Sequence, residues 1–417
     1  MGNTFNTNLR WVIGSQVHNN ILLGEPAVFI YAQEGAWGQL IEESFSRPSS
    51  VSFKDRCRNT ALHIACRRQP PIDVIVALIR AYPAATELKT VDGMTPLHFA
   101  CYCGASVDII KILIEAGPES VSKVDSRGRT PLHCACAGFR TDDKHEILKA
   151  LLDSNPNIVL DHDNMGRTSL SLMLDDYLEE VEEIISNNSS SSWDDNISHS
   201  HRSRNTNRTS IIISKELEAC LKCTSILLRA AYHGSTADII FQNQPFRLLH
   251  ASVGVPSCPH HFIRLALKIK PEQIREPDIN GNLPLHIAAS ISSPSMYSQK
   301  NVFVVIETIL GCYPKAARIS NKDRRLPLAL AIESRKTWEN GIRVLIEAHP
   351  AALSTIPIDA KYFHLILERI AKSSSPTVLF EVLKAKPEIV PSLPSMDLMT
   401  TKKETFEDLL IQDWDHQ

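Results

Sequence analysis

The sequence predicts an all-α solenoid of about nine helix-pair units, interrupted by one long disordered insertion. Three observations carry this. First, Thr60-Ala61-Leu62-His63-Ile64-Ala65-Cys66 returns as Thr95-Pro96-Leu97-His98-Phe99-Ala100-Cys101 and as Thr130-Pro131-Leu132-His133-Cys134-Ala135-Cys136, with a constant step of 35 residues. A fixed period in this range marks a stacked repeat array. Second, apolar runs stop at a ladder of prolines: Pro48, Pro83, Pro118, Pro156, then Pro271, Pro314, Pro350 and Pro387. The residue before proline avoids helical geometry, so each second helix ends there. Third, second helices such as Val74-Ile75-Val76-Ala77-Leu78-Ile79 are apolar almost throughout. One unit cannot bury such a face, and stacking against neighbours does.

The repeated hexad reads as a helix start. Thr is a good N-cap, because its hydroxyl accepts from a free amide of the first turn. Proline follows where no amide is missed and φ is already helical. The His falls at the third helical position, within reach of the cap. Upstream, Asp125-Ser126-Arg127-Gly128, Asp163-Asn164-Met165-Gly166 and Asp278-Ile279-Asn280-Gly281 place Asp first and Gly fourth, as a type I turn prefers. Each unit is therefore turn, capped helix, second helix.

The pattern resembles the ankyrin repeat, whose signature is Thr-Pro-Leu-His-x-Ala with a Gly two residues before the Thr. Gly93, Gly128, Gly166 and Gly281 match that Gly. The resemblance implies antiparallel helix pairs joined by outward β-turn fingers, and a role in protein–protein binding.

Taken in order, residues 1–22 form a flexible N-terminal segment and residues 23–390 the array. The first unit, with helices near Pro26–Gln33 and Trp37–Phe45, lacks the Thr and His, as a terminal capping repeat does. Units two to four start at Thr60, Thr95 and Thr130. The fifth starts at Thr168, with Ser169 for Pro and Ser171 for His, so its cap is weaker. Residues 186–210 are rich in Ser and Asn with little to bury, which reads as disorder. The helical pattern resumes at Lys215–Tyr232, so the tract is placed inside the fifth repeat. The sixth unit centres on Leu248–Ser252. The seventh, Leu283-Pro284-Leu285-His286, is a close match, and the eighth has Ala329 where the His belongs. The ninth lies near Phe363–Ile370 and Thr377–Ala385. Residues 391–417 form a tail in which Phe406, Leu409, Leu410 and Trp414 have amphipathic helical spacing.

Composition narrows the function classes. Net charge is −3 across 417 residues, which gives no bulk electrostatic case for nucleic acid or membrane. No apolar run approaches bilayer-spanning length and no signal peptide is seen, so the expectation is an intracellular chain, cytoplasmic with the nucleus left open; a monomer is expected. Ten cysteines then read as free thiols, with Cys66, Cys101 and Cys136 in one core register. Cys220-Leu221-Lys222-Cys223 with Cys258 and His260-His261 offers five zinc-type ligands, one more than a tetrahedral site needs. On a helix the first pair is simply one turn apart, and the structural explanation is preferred. The repeated histidines are too far apart for shared chemistry. No phosphate loop, nucleophile elbow or zinc-protease motif occurs. The expectation is a non-enzymatic scaffold or adaptor without cofactor or metal. A substrate-recruiting subunit of a protein-modifying complex is the alternative. Under the ankyrin resemblance the binding surface is the concave face of fingers and first helices. The residues before each Thr-equivalent are its candidates: Asn59, Met94, Arg129, Arg167, Phe246, Asn282 and Arg325, with Arg127 beside them. Their arginines suggest an acidic protein partner. Ser191 and Ser192, each three residues before an Asp, are candidate phosphoacceptors.

Overall fold

The computed structural model describes residues 25–138, 143–175, 177–186, 214–233, 246–291, 296–334 and 336–354. The expectations for the N-terminal segment, the insertion beyond Ser186, the ninth unit and the tail lie outside these residues. The chain divides into two compact units, one of residues 1–176 with 213–244 and one of residues 177–212 with 245–417.

In the first unit, the first helices are α1 (Ala27–Glu34), α3 (Ala61–Cys66), α5 (Pro96–Cys103), α7 (Pro131–Ala137) and α9 (Ser169–Asp175). They pack side by side in that order. Behind them α2 (Trp37–Ser46), α4 (Ile72–Ala81), α6 (Val107–Ala116), α8 (Lys144–Ser154) and α11 (Lys215–His233) form a second row, also in order. Thus α11 occupies the second-helix place of the fifth pair. Leu62, Leu97, Leu132 and Leu170 are buried between the rows. Leu97 is 1% exposed. We expect Leu97→Ala to remove roughly 2–5 kcal/mol, read as a lower urea midpoint; an unchanged midpoint would place Leu97 outside the core.

The second unit repeats the plan. Its first helices are α12 (Leu248–Gly254), α14 (Pro284–Ser290) and α16 (Pro327–Glu333). Its second row is α10 (Leu178–Ser186), α13 (His260–Ile269), α15 (Met296–Cys312) and α17 (Arg343–Ala348). The helix α10 was not anticipated. Its apolar residues, Leu178, Val181 and Ile184, have helical spacing, but the interleaved glutamates made the stretch read as an acidic run. It packs on α13, and Lys268 Nζ donates to the Ile184 carbonyl at 3.0 Å.

The proline ladder acts as the sequence suggests, with one addition. Tyr82, Gly117, Asn155, Tyr313 and His349 each precede a proline and share φ between −147° and −151° with ψ between 74° and 98°. These are extended values that end the helix. Each proline then opens a five-residue 3₁₀ turn, as at Pro83–Glu87 and Pro118–Ser122. The turn buries one or two small residues, such as Ala85 and Val121, and hands the chain to the next finger.

Candidate partner-binding surface

Each finger is closed by the same main-chain bonds. In the third unit Gly93 N–H donates to the Thr90 carbonyl and Thr90 N–H to the Met94 carbonyl, both at 2.9 Å. The same pair occurs from Asp55, Asp125, Asp163, Asp278 and Asn321. A side-chain oxygen on that leading residue accepts the amide four residues on. The donors are Asn59, Met94, Arg129, Arg167, Asn282 and Arg325, at 2.6 to 3.2 Å. The fourth turn position is left-handed, which suits glycine: Gly93 and Gly128 both have φ 75°. At Gly93 an added Cβ would also meet Ser126 N at 2.9 Å. Arg58 and Arg324 hold the same conformation, φ 63° and 60°, at a cost of roughly 1–2 kcal/mol each for a residue with Cβ.

Successive fingers are linked by one amide each. Val91 N–H donates to Cys57 O, Ser126 to Asp92 O and Asn164 to Arg127 O, at 2.8 to 2.9 Å. The histidines brace the same layer from inside. At His63, His98 and His133 the Nδ1 atom accepts the amide of the capping Thr at 3.1 to 3.3 Å. That fixes the proton on Nε2, which donates to the Leu88, Arg129 and Arg167 carbonyls of the following finger. His63 and His98 are fully buried, and burial lowers the pKa of each to about 4. In the fifth pair Ser171 Oγ accepts the Thr168 amide at 3.1 Å, as the His does elsewhere.

The candidate contacts differ in exposure. Asn59, Met94 and Arg129 are 8%, 4% and 3% exposed, so little of each is open to solvent. Arg129 is clamped on Asp125, with Nε and Nη2 donating to Oδ2 at 2.8 and 2.6 Å. Arg167 makes the matching clamp on Asp163, and Asn282 donates to Asp278. Phe246 is half-buried, while Arg325 is exposed and ion-paired with Glu333. Arg127 alone of the first-unit candidates is exposed. The position before the Thr varied because only its amide is structurally required; its side chain follows whatever the leading residue offers. An Asp four residues before an Arg was the sequence signal for these clamps.

The sequence reading places the surface on fingers and first helices without naming first-helix residues. Phe99 and Tyr102 lie one turn apart on α5 and are half-exposed. Arg67, just past α3, stacks over Phe99 with its guanidinium carbon 5.6 Å from the ring centroid. Cys57 is exposed, whereas Cys66, Cys101, Cys134, Cys136, Cys220 and Cys223 are buried, and burial pushes Cys134 up to about 12. No group of three possible metal-ligating side chains occurs among the described residues, and none of their helices is long and apolar enough to cross a membrane.

The paired helix rows and linked fingers define a helical repeat solenoid. More particularly, residues 28–124 and 62–162 match the family model for ankyrin repeats in sets of three copies, so residues 28–162 carry ankyrin repeats. No curated protein matches it. Ankyrin repeats are in general protein–protein interaction modules, and the fold is typically non-enzymatic.

Proposed function

We propose that this chain is a non-enzymatic intracellular scaffold or adaptor that holds a protein partner on its fingers and first helices. One observation carries the reading. Finger closure is the same in the six described fingers, whereas the exposed tips differ: Arg56-Cys57-Arg58, Val91-Asp92, Ser126-Arg127 and Asn164-Met165. A fixed frame with variable tips is what recognition requires, because fold alone sets no partner. Arginine and methionine are also enriched at interfaces.

The test is affinity purification of the tagged full chain from its own cells, beside the double variant Arg56→Glu/Arg127→Glu. Both side chains are exposed, so the variant should melt like the parent. Stoichiometric partners on the parent that are lost from the variant are the expected result. Identical partner sets would move binding off this surface, and substrate turnover by the pure protein would replace the scaffold reading.

A further inference from the structure

Arg58 stands where four other fingers carry glycine, and it holds the left-handed backbone that glycine adopts without strain. Strained positions persist where the side chain is used. The side chain is exposed, next to exposed Arg56. Arg67 lies within electrostatic reach of Cys57 and Asp55 of this finger, and it also covers Phe99. Tyr102, one turn along α5, lies within electrostatic reach of Arg127. Finger tip, first helix and neighbouring finger thus lie within electrostatic reach of one another. Among the described residues Arg56, Arg58, Arg67 and Arg127 make no ion pair, in contrast to Arg129 and Arg167. The acidic groups nearby are Asp55, tied to Asn59, exposed Asp92, and Asp125, whose charge is matched by Arg129. Positive charge therefore predominates around two half-exposed rings.

We infer that Arg56, Arg58, Arg67, Phe99, Tyr102 and Arg127 form a docking face for an acidic protein segment that carries an apolar side chain. This rests on the scaffold reading above and names the chemistry of its partner. Carboxylates meet planar guanidinium groups that present paired donors. An apolar side chain covers Phe99 and Tyr102 at the centre, where aromatic anchors contribute most. A protein is favoured over nucleic acid because ankyrin repeats are in general protein–protein interaction modules; with a net charge of −3 the chain attracts an acidic segment through this local patch alone.

The test uses the full chain and a fluorescein-labelled glutamate-rich peptide with a central Phe-Leu pair. The same peptide with glutamine for glutamate and a single-stranded oligonucleotide serve as comparisons. The acidic peptide should bind, weaken with added salt, and exceed the glutamine peptide by roughly tenfold. Arg127→Glu should weaken it by about tenfold with an unchanged melting curve. Arg58→Gly is the decisive variant: relief of strain raises the melting temperature by about 2 °C, while binding falls by at least about threefold. A merely structural Arg58 would give the first change without the second. Equal binding of the two peptides, full binding by Arg58→Gly, or capture of the oligonucleotide alone would each overturn the inference. If the peptide fails while Arg56→Glu/Arg127→Glu still loses cellular partners, the acidic segment falls and the scaffold stands; if both fail, both fall.

Discussion

Lowering the pH from 7 to 5 is expected to remove on the order of 4 kcal/mol from the first unit through two histidines, His63 and His98. Each has an ordinary pKa of 6.5 that burial brings to about 4 in the folded chain. The unfolded chain therefore binds protons below about pH 6.5 that the folded chain refuses until about pH 4. The stabilisation is complete above pH 6.5 and is lost as the pH falls towards 4. The loss at pH 5 is roughly 2 kcal/mol per ring. The bonding explains the refusal. A proton on Nδ1 would point at the Thr60 or Thr95 amide, which itself donates to that atom at 3.1 Å. His250, 1% exposed in the second unit, is also lowered to about 4, by burial first and then by Arg247. Burial lowers His133 and His286 as well. Thermal melts from pH 7.5 to 5 should show a steep fall, because a folded domain holds only ~5–15 kcal/mol in total. His98→Gln should be weaker at neutral pH yet lose less on acidification. A melting temperature that stays flat to pH 5 would show that these rings are already protonated or solvated.

The parts of the fold that were legible in the sequence are those fixed by one or two neighbouring residues. The Thr-Pro-Leu-His cap and the pre-proline stop are local, so α3, α5, α7 and α14 could be placed to within a residue or two. The 3₁₀ turn after each proline left no periodic signal, and α10 was hidden among glutamates. For the surface, the residue before each Thr is a candidate by its position alone, and position does not tell how far a side chain is taken up inside its own finger. Arg129 and Asn59 are consumed by Asp125 and Asp55 four residues earlier. The stronger signal was an absence: Arg58 in a glycine position. Arg67 and Phe99 meet across two repeats, and nothing in a linear reading brings residues of different units together.

Asp125→Ala should be the most damaging single change in the fingers, at roughly 3–5 kcal/mol. The Asp125 carboxylate is 1% exposed and does four things at once. Oδ1 accepts the Arg127 and Arg129 amides at 2.9 and 2.8 Å, and Oδ2 accepts both Arg129 donors. Alanine would leave a guanidinium that is 3% exposed without its counter-charge, and two amides without acceptors. Water cannot compensate there. The fifth-unit clamp supplies the control. Asp163 is equally buried and bonds the Met165 and Arg167 amides in the same way, but the Arg167 side chain is 22% exposed. Asp163→Ala should therefore cost less, since its orphaned arginine can reach solvent. Replacing both members, Asp125→Ala/Arg129→Met, should recover much of the loss, because the buried charge is gone. Urea unfolding of the four proteins gives the comparison. If Asp125→Ala and Asp163→Ala were equally costly, or the double variant no better than the single, the destabilisation would come from the lost turn amides and not from the stranded arginine.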